Sequence, residues 1–182
     1  PNAKPAPTIP KVSAAEIIRD ETSVRLSRIA DVAGNVTPAE LMIIAAFVRQ
    51  RQPAICFEIG TFDGRTTENM AANQPDDGKC YTLDLPPASA DKAALPLACG
   101  DETYINKPAS GARISAQAKS GKIVQLYGDS ATFDFSPYAG RVDAMFVDGA
   151  HSCEYVLSDS DAAYRMVKPG GPILWHAYDS RC

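Results

Sequence analysis

Apolar and polar positions alternate between two periods along this chain. A short apolar run, Ile55, Cys56, Phe57 and Ile59, is too brief for a helix and rich in β-formers, so it predicts a buried central strand over 54–59. Similar runs at 80–85 (CYTLDL), 122–127 (KIVQLY), 142–147 (VDAMFV) and 172–177 (PILWHA) predict four further strands. The segments between them have helical spacing. Thr66–Ala72 follows the first strand with hydroxyl side chains at its head, and Tyr155–Met166 places Val156, Leu157, Ala163 and Met166 on one face before Lys168-Pro169-Gly170-Gly171 stops it. Upstream, Ile17, Ile18, Val24, Leu26 and Ile29 predict a helix from Ser13 to about Ala30, closed by Gly34. Thr37-Pro38-Ala39-Glu40 is a capping box with proline at the first helical position, and Leu41, Ile44, Phe47 and Val48 continue it as one apolar face. Strands alternating with helices predict an α/β domain with a parallel sheet.

Two stretches carry no hydrophobic period. Pro1–Pro10 holds four prolines and predicts an arm over 1–12, leaving 13–182 as a single domain with N-terminal helices at 13–50. Pro86–Gly121 is long and irregular, with Pro86, Pro87, Pro96 and Pro108. Loops of that length are usually functional or disordered. Its Tyr104, Ile105, Lys107 and Arg113 make it a candidate lid.

Composition narrows the classes. The chain has 182 residues, 45% hydrophobic and 22% charged, which fits one soluble globular domain. A net charge of −4 argues against nucleic acid or an anionic membrane as the main partner. With no run of eighteen apolar residues and no signal-peptide pattern, the expected location is cytoplasmic. Five cysteines form no C-x-x-C pair, which predicts reduced structural thiols and not a zinc site.

The chemistry concentrates at strand ends. After the first strand, Gly60 and Gly64 frame a turn into a helix, a geometry that brings backbone N–H groups and a helix N-terminus to a ligand. A dinucleotide site wants G-x-G-x-x-G, and the middle glycine is absent here; Asp63 also adds negative charge beside the expected pyrophosphate. Both count against an NAD-linked oxidoreductase. Asp84 ends the second strand 20 residues beyond Gly64, the offset of a ribose-binding carboxylate. Asp129 and Ser130 follow the third strand and can bond an adenine amino group, while Asp148 and His151 follow the fourth.

In this order, EIGTFDG, LDL, YGDS, FVDGAH and VKPGGPILWHAY resemble the class I S-adenosylmethionine-dependent methyltransferases over roughly Pro38–Tyr178. The ending is similar to a bacterial branch of sugar and other small-molecule O-methyltransferases. The resemblance implies a doubly wound, Rossmann-like sheet in order 3-2-1-4-5, with right-handed crossovers and a cofactor-binding core at 54–177. It also implies that Glu58, Gly60, Thr61, Phe62 and Gly64 line the methionine part of the cofactor. Asp84 would hold the ribose, Asp129 and Ser130 the adenine, and Asp148 and His151 would face the transferred methyl. His151 would act as base, since histidine titrates near neutrality. In some relatives a divalent metal activates the acceptor instead. Here Ala177 stands where the family's ending commonly has aspartate, so a metal would have to use Asp148, His176 or Asp179. The family's sixth and seventh strands have no counterpart in this sequence, which predicts either a fragment or a second copy covering the fifth strand's edge. The expected acceptor is a small hydroxylated molecule such as a sugar or secondary metabolite; the alternative is a non-catalytic S-adenosylmethionine-binding or assembly protein.

Overall fold

The computed structural model describes residues 12–115 and 121–176. Residues 1–11 of the arm, the end of the long loop at 116–120, and 177–182 with Ala177, Tyr178, Asp179 and Cys182 lie outside the described residues.

Five strands form one sheet: β1 (Ile55–Ile59), β2 (Lys79–Asp84), β3 (Ile123–Tyr127), β4 (Ala144–Val147) and β5 (Ile173–Trp175). Their order is β3-β2-β1-β4-β5, and every pairing is parallel, as expected. β4 starts two residues later than the sequence pattern suggests, because Val142 instead bridges Val167 in parallel. Parallel strands buried on both faces require helices on both sides, and two apolar clusters fill those layers. On one face Cys56, Cys80 and Phe146 pack with α2 (Pro38–Arg51) and α3 (Arg65–Asn73). On the other, Phe57, Ile59, Leu83 and Met145 meet Ala163 and Met166 of the C-terminal helix (Cys153–Met166) and the aromatics Phe133, Phe135 and Tyr138.

The capping box holds: the Thr37 hydroxyl accepts from the Glu40 N–H, and the Glu40 carboxylate accepts from the Thr37 N–H at 2.7 Å. The expected helix over Ser13–Ala30 shrinks to α1, Ala14–Ile17. Residues 25–27 run along α3 instead, with Arg25 and Ser27 each joined to it by a two-way amide exchange. The Asn73 side chain accepts from the Arg25 N–H and donates to its carbonyl; Asn69 does the same with Ser27. Asn69 and Asn73 are buried, so their amides need partners, and an extended strap supplies them where a helix would satisfy itself. The would-be apolar face gains little from a helix, since Ile17, Leu26 and Ile29 stay exposed.

The segment after β2 is partly ordered by a 3-10 turn at Ala90–Lys92 and by α4 (Asp101–Ile105). With α4 counted, the C-terminal helix Cys153–Met166 is α5. No described helix is long and apolar enough to cross a membrane.

Candidate active site

A cavity of about 270 Å³ opens where the carboxyl ends of the strands converge. Ligands bind at that position in open parallel sheets. Gly60, Phe62, Leu83, Asp84, Asp129, Ser130, Asp148 and His151 line it, joined by His176 from the end of β5. Gly60 is required by geometry: its φ is +97°, and a Cβ there would lie 2.0 Å from the carbonyl oxygen of Asp148. The turn after β1 therefore sits directly against the turn after β4.

Three of the expected cofactor contacts sit behind this wall. Glu58 is 1% exposed and does not reach the cavity. It shares a face of β1 with Cys56, by the two-residue strand period, and so points beneath α3. There one of its oxygens accepts from the hydroxyls of Thr67 and, at 2.6 Å, Thr82. Burial pushes its carboxyl up to about 8, against the pull of those two hydroxyls. Thr61 is buried in the same network, 2.6 Å from the Thr82 hydroxyl and accepting from the Gln125 amide. Gly64, at φ +89°, caps α3, and a Cβ there would run into Ile114 at 2.3 Å. Its smallness serves packing.

Asp63 is turned away from the cavity as well. It accepts from the Arg65 N–H at 3.0 Å and from the Asn35 amide, and pairs with Arg113 at 3.1 Å. Its charge therefore does not weigh against a phosphate ligand. Phe62 does, because its side chain lines the cavity at the position of the absent middle glycine.

Asp84 ends β2 on the cavity as expected, but it has company. Lys107 lies 2.9 Å from its Oδ2, with both side chains at most 10% exposed. Burial raises the Asp84 carboxyl, and the Lys107 ammonium opposes that. Asp129 is also engaged: its carboxylate accepts from the Tyr155 hydroxyl at 2.8 Å and from the N–H groups of Ala94 and Ala131. It thereby ties the segment after β2 to α5. Ser130 lines the cavity beside it and faces the buried Asp159, whose carboxyl burial pushes up to about 6.

Of the lid residues expected from the sequence, Tyr104, Ile105 and Lys107 line the cavity. Tyr104 packs edge-on to Phe62 with ring centres 5.6 Å apart. Arg113 instead clamps the turn after β1.

The reacting end holds two carboxylate–imidazole pairs. Asp148 Oδ1 is 2.8 Å from His176 Nδ1, and Asp101 Oδ1 is 2.8 Å from His151 Nδ1. The bond to Asp148 is the main cause of a raised His176 pKa. One ligand atom each from Asp148, His151 and His176 falls within 4.8 Å of the others, so a divalent cation would fit among them. Of the residues the sequence reading offered to a metal, Asp148 and His176 are in this group and Asp179 lies outside the described residues; His151 joins them. Asp101 was not anticipated. Its only sequence signal is the Gly100-Asp101 start of a short helix inside a loop, and nothing in that pattern links it to a histidine 50 residues away.

A five-stranded parallel sheet in this order, with a cavity at its strand ends lined by carboxylates and two histidines, is a Rossmann-like domain of the methyltransferase kind. A family model described as a methyltransferase domain matches residues 57–178, and the chain belongs to that family. Among solved structures, the chain resembles an O-methyltransferase from Bacillus cereus in complex with SAH, at 17% identity and a TM-score of 0.58. That match covers 79% of this chain and 58% of that one. A Klebsiella pneumoniae protein provisionally assigned as an O-methyltransferase matches at 21% identity and a TM-score of 0.55, covering 79% and 57%. The SAH-bound methyltransferase PaMTH1 from Podospora anserina matches at 17% and 0.53, covering 78% and 53%. These likenesses show a common fold, and this chain spans a little over half the length of each. No curated protein matches the sequence.

Proposed function

We propose that this domain binds S-adenosylmethionine and transfers its methyl group to a hydroxyl of a small acceptor, such as a sugar or secondary metabolite. One observation carries the reading: acidic side chains from the ends of β2, β3 and β4 face a single cavity with His151 beside them. The donor set suits that cofactor. Asp84 accepts hydrogen bonds, which is what a ribose diol offers, and the turn after β1 carries Phe62 where a dinucleotide needs glycine. O-methyltransferases among the solved structures with this fold are consistent with the oxygen acceptor.

When bound, the cofactor supplies an activated methyl on a sulfonium. The protein's part is to hold the acceptor in line and take its proton. Bound in this cavity, with Asp84 toward its ribose and Asp129 and Ser130 toward its adenine, S-adenosylmethionine would supply the electrophilic methyl that the acceptor oxygen takes. The hydroxyl proton passes to His151. Phe62, Tyr104 and Ile105 give the cavity an apolar side, and a bound cofactor and acceptor against it would leave less water around the reacting groups.

Transfer of labelled methyl from S-adenosylmethionine to catechol and to free hexoses tests this reading. His151→Gln is expected to lower kcat about 10²–10⁴-fold with S-adenosylhomocysteine affinity little changed. Activity that survives His151→Gln but vanishes with EDTA would move the role to a metal among Asp148, His151 and His176. Wild-type protein that binds the cofactor but methylates neither probe favours the binding-only reading, to which the Lys107 ion pair on Asp84 lends support.

A further inference from the structure

Asp101 is 5% exposed, while the side chain of His151 is 38% exposed. Both carboxylate oxygens of Asp101 are committed. Oδ2 accepts from the N–H of Ala98 at 2.9 Å and from the N–H of His151 at 3.1 Å; Oδ1 is 2.8 Å from His151 Nδ1. Two backbone donors, one from each side of the contact, thus fix the plane of the carboxylate, and its remaining oxygen is aimed at the ring. A carboxylate in its ionised form only accepts, so this contact favours the tautomer of a neutral imidazole that carries its proton on Nδ1. Nε2 is then the nitrogen left with a lone pair, on a side chain that lines the cavity. Surface ion pairs leave both partners wet. Here the carboxylate is buried and the imidazole is open toward the ligand, the arrangement of a base with its orienting acid.

The two partners come from separate elements. Asp101 opens α4, within the segment after β2, and His151 precedes Ser152, the N-cap of α5. That segment also supplies Tyr104 and Lys107 to the cavity. We propose that Asp101 is a positioning residue for His151, holding its proton on Nδ1 and turning Nε2 toward the acceptor hydroxyl. The inference rests on the methyl-transfer reading above. It adds that the segment after β2 both closes the cavity and sets the base in its working tautomer.

The sequence has two histidines, so ¹⁵N spectra of the imidazoles contain two ring systems, assigned with His176→Gln. In wild-type protein saturated with S-adenosylhomocysteine, His151 should show the Nδ1–H tautomer. Asp101→Asn retains an oxygen for the backbone donors but can present an amide N–H to Nδ1. It should populate the Nε2–H tautomer and lower kcat with catechol or a hexose about 10²–10⁴-fold, leaving KM for S-adenosylmethionine within about threefold. An Nε2–H tautomer in wild type overturns the proposal without any variant having to fold. So does a folded Asp101→Asn protein with wild-type kcat. Absence of methyl transfer by wild type would instead overturn the functional reading, and the positioning role with it. Because the tautomer is read without turnover, the two failures are distinguishable.

Discussion

Buried to 1% exposure, Glu58 holds its proton into the neutral range although two threonine hydroxyls donate to one of its oxygens and oppose the shift. That has a consequence for stability. Its folded pKa of about 8 lies above its ordinary value of 4.5, so the folded state binds the extra proton between those limits. The stabilisation is full below about 4.5 and is lost as the pH rises through about 8, at a rate of up to about 1.4 kcal/mol per pH unit. Glu58→Gln removes the titration. The unfolding free energy of the variant should therefore gain on wild type as pH rises from 5 to 8, measured by urea denaturation at each pH. Parallel curves for the two proteins would contradict a protonated Glu58. The same residue shows what a strand pattern conveys and what it conceals. Glu58 stood out as an acid inside an apolar run, but the two-residue period puts it on the face of Cys56, under α3, and not at the strand's end where ligands bind.

Among the elements, the segment joining β2 to β3 does most to shape the cavity. Its anchors include Asp101 on His151, Ala94 on Asp129, Arg113 on Asp63 and Lys107 on Asp84. The last is a buried ion pair, and removing one partner strands the other's charge. Lys107→Met is expected to lower the melting temperature more at pH 8 than at pH 5, because the raised Asp84 carboxyl takes up a proton as the pH falls and sheds the stranded charge. An equal loss at both pH values would mean that the pair is screened by solvent. Its length and its prolines marked this segment as a candidate lid, and Tyr104, Ile105 and Lys107 do line the cavity. Asp101 could not be recognised, since its partner is fixed by tertiary approach alone. The strap at 25–27 escaped for a related reason: its apolar spacing is helical, but Asn69 and Asn73 of α3 offer its backbone the hydrogen bonds a helix would have formed.

At the scale of the whole molecule, the sheet was the most legible feature. Five β-rich runs, four of them closed by glycine, proline or a carboxylate, gave strands within about two residues of those observed, because parallel strands buried on both faces leave continuous apolar runs. Strand ends set the cavity, so Gly60, Asp84, Asp129, Asp148 and His151 could be placed on it from their positions alone. Glu58, Thr61 and Gly64 could not, since lying near a motif does not decide which way a side chain points. The central claim is that this cavity holds S-adenosylmethionine with Asp84 on its ribose. Isothermal titration of S-adenosylhomocysteine into wild type and a folded Asp84→Ala variant tests it most directly. Saturable 1:1 binding by wild type, weakened by about 2–4 kcal/mol in the variant, is the predicted result. No binding by wild type, or equal affinity in the two proteins, would contradict it.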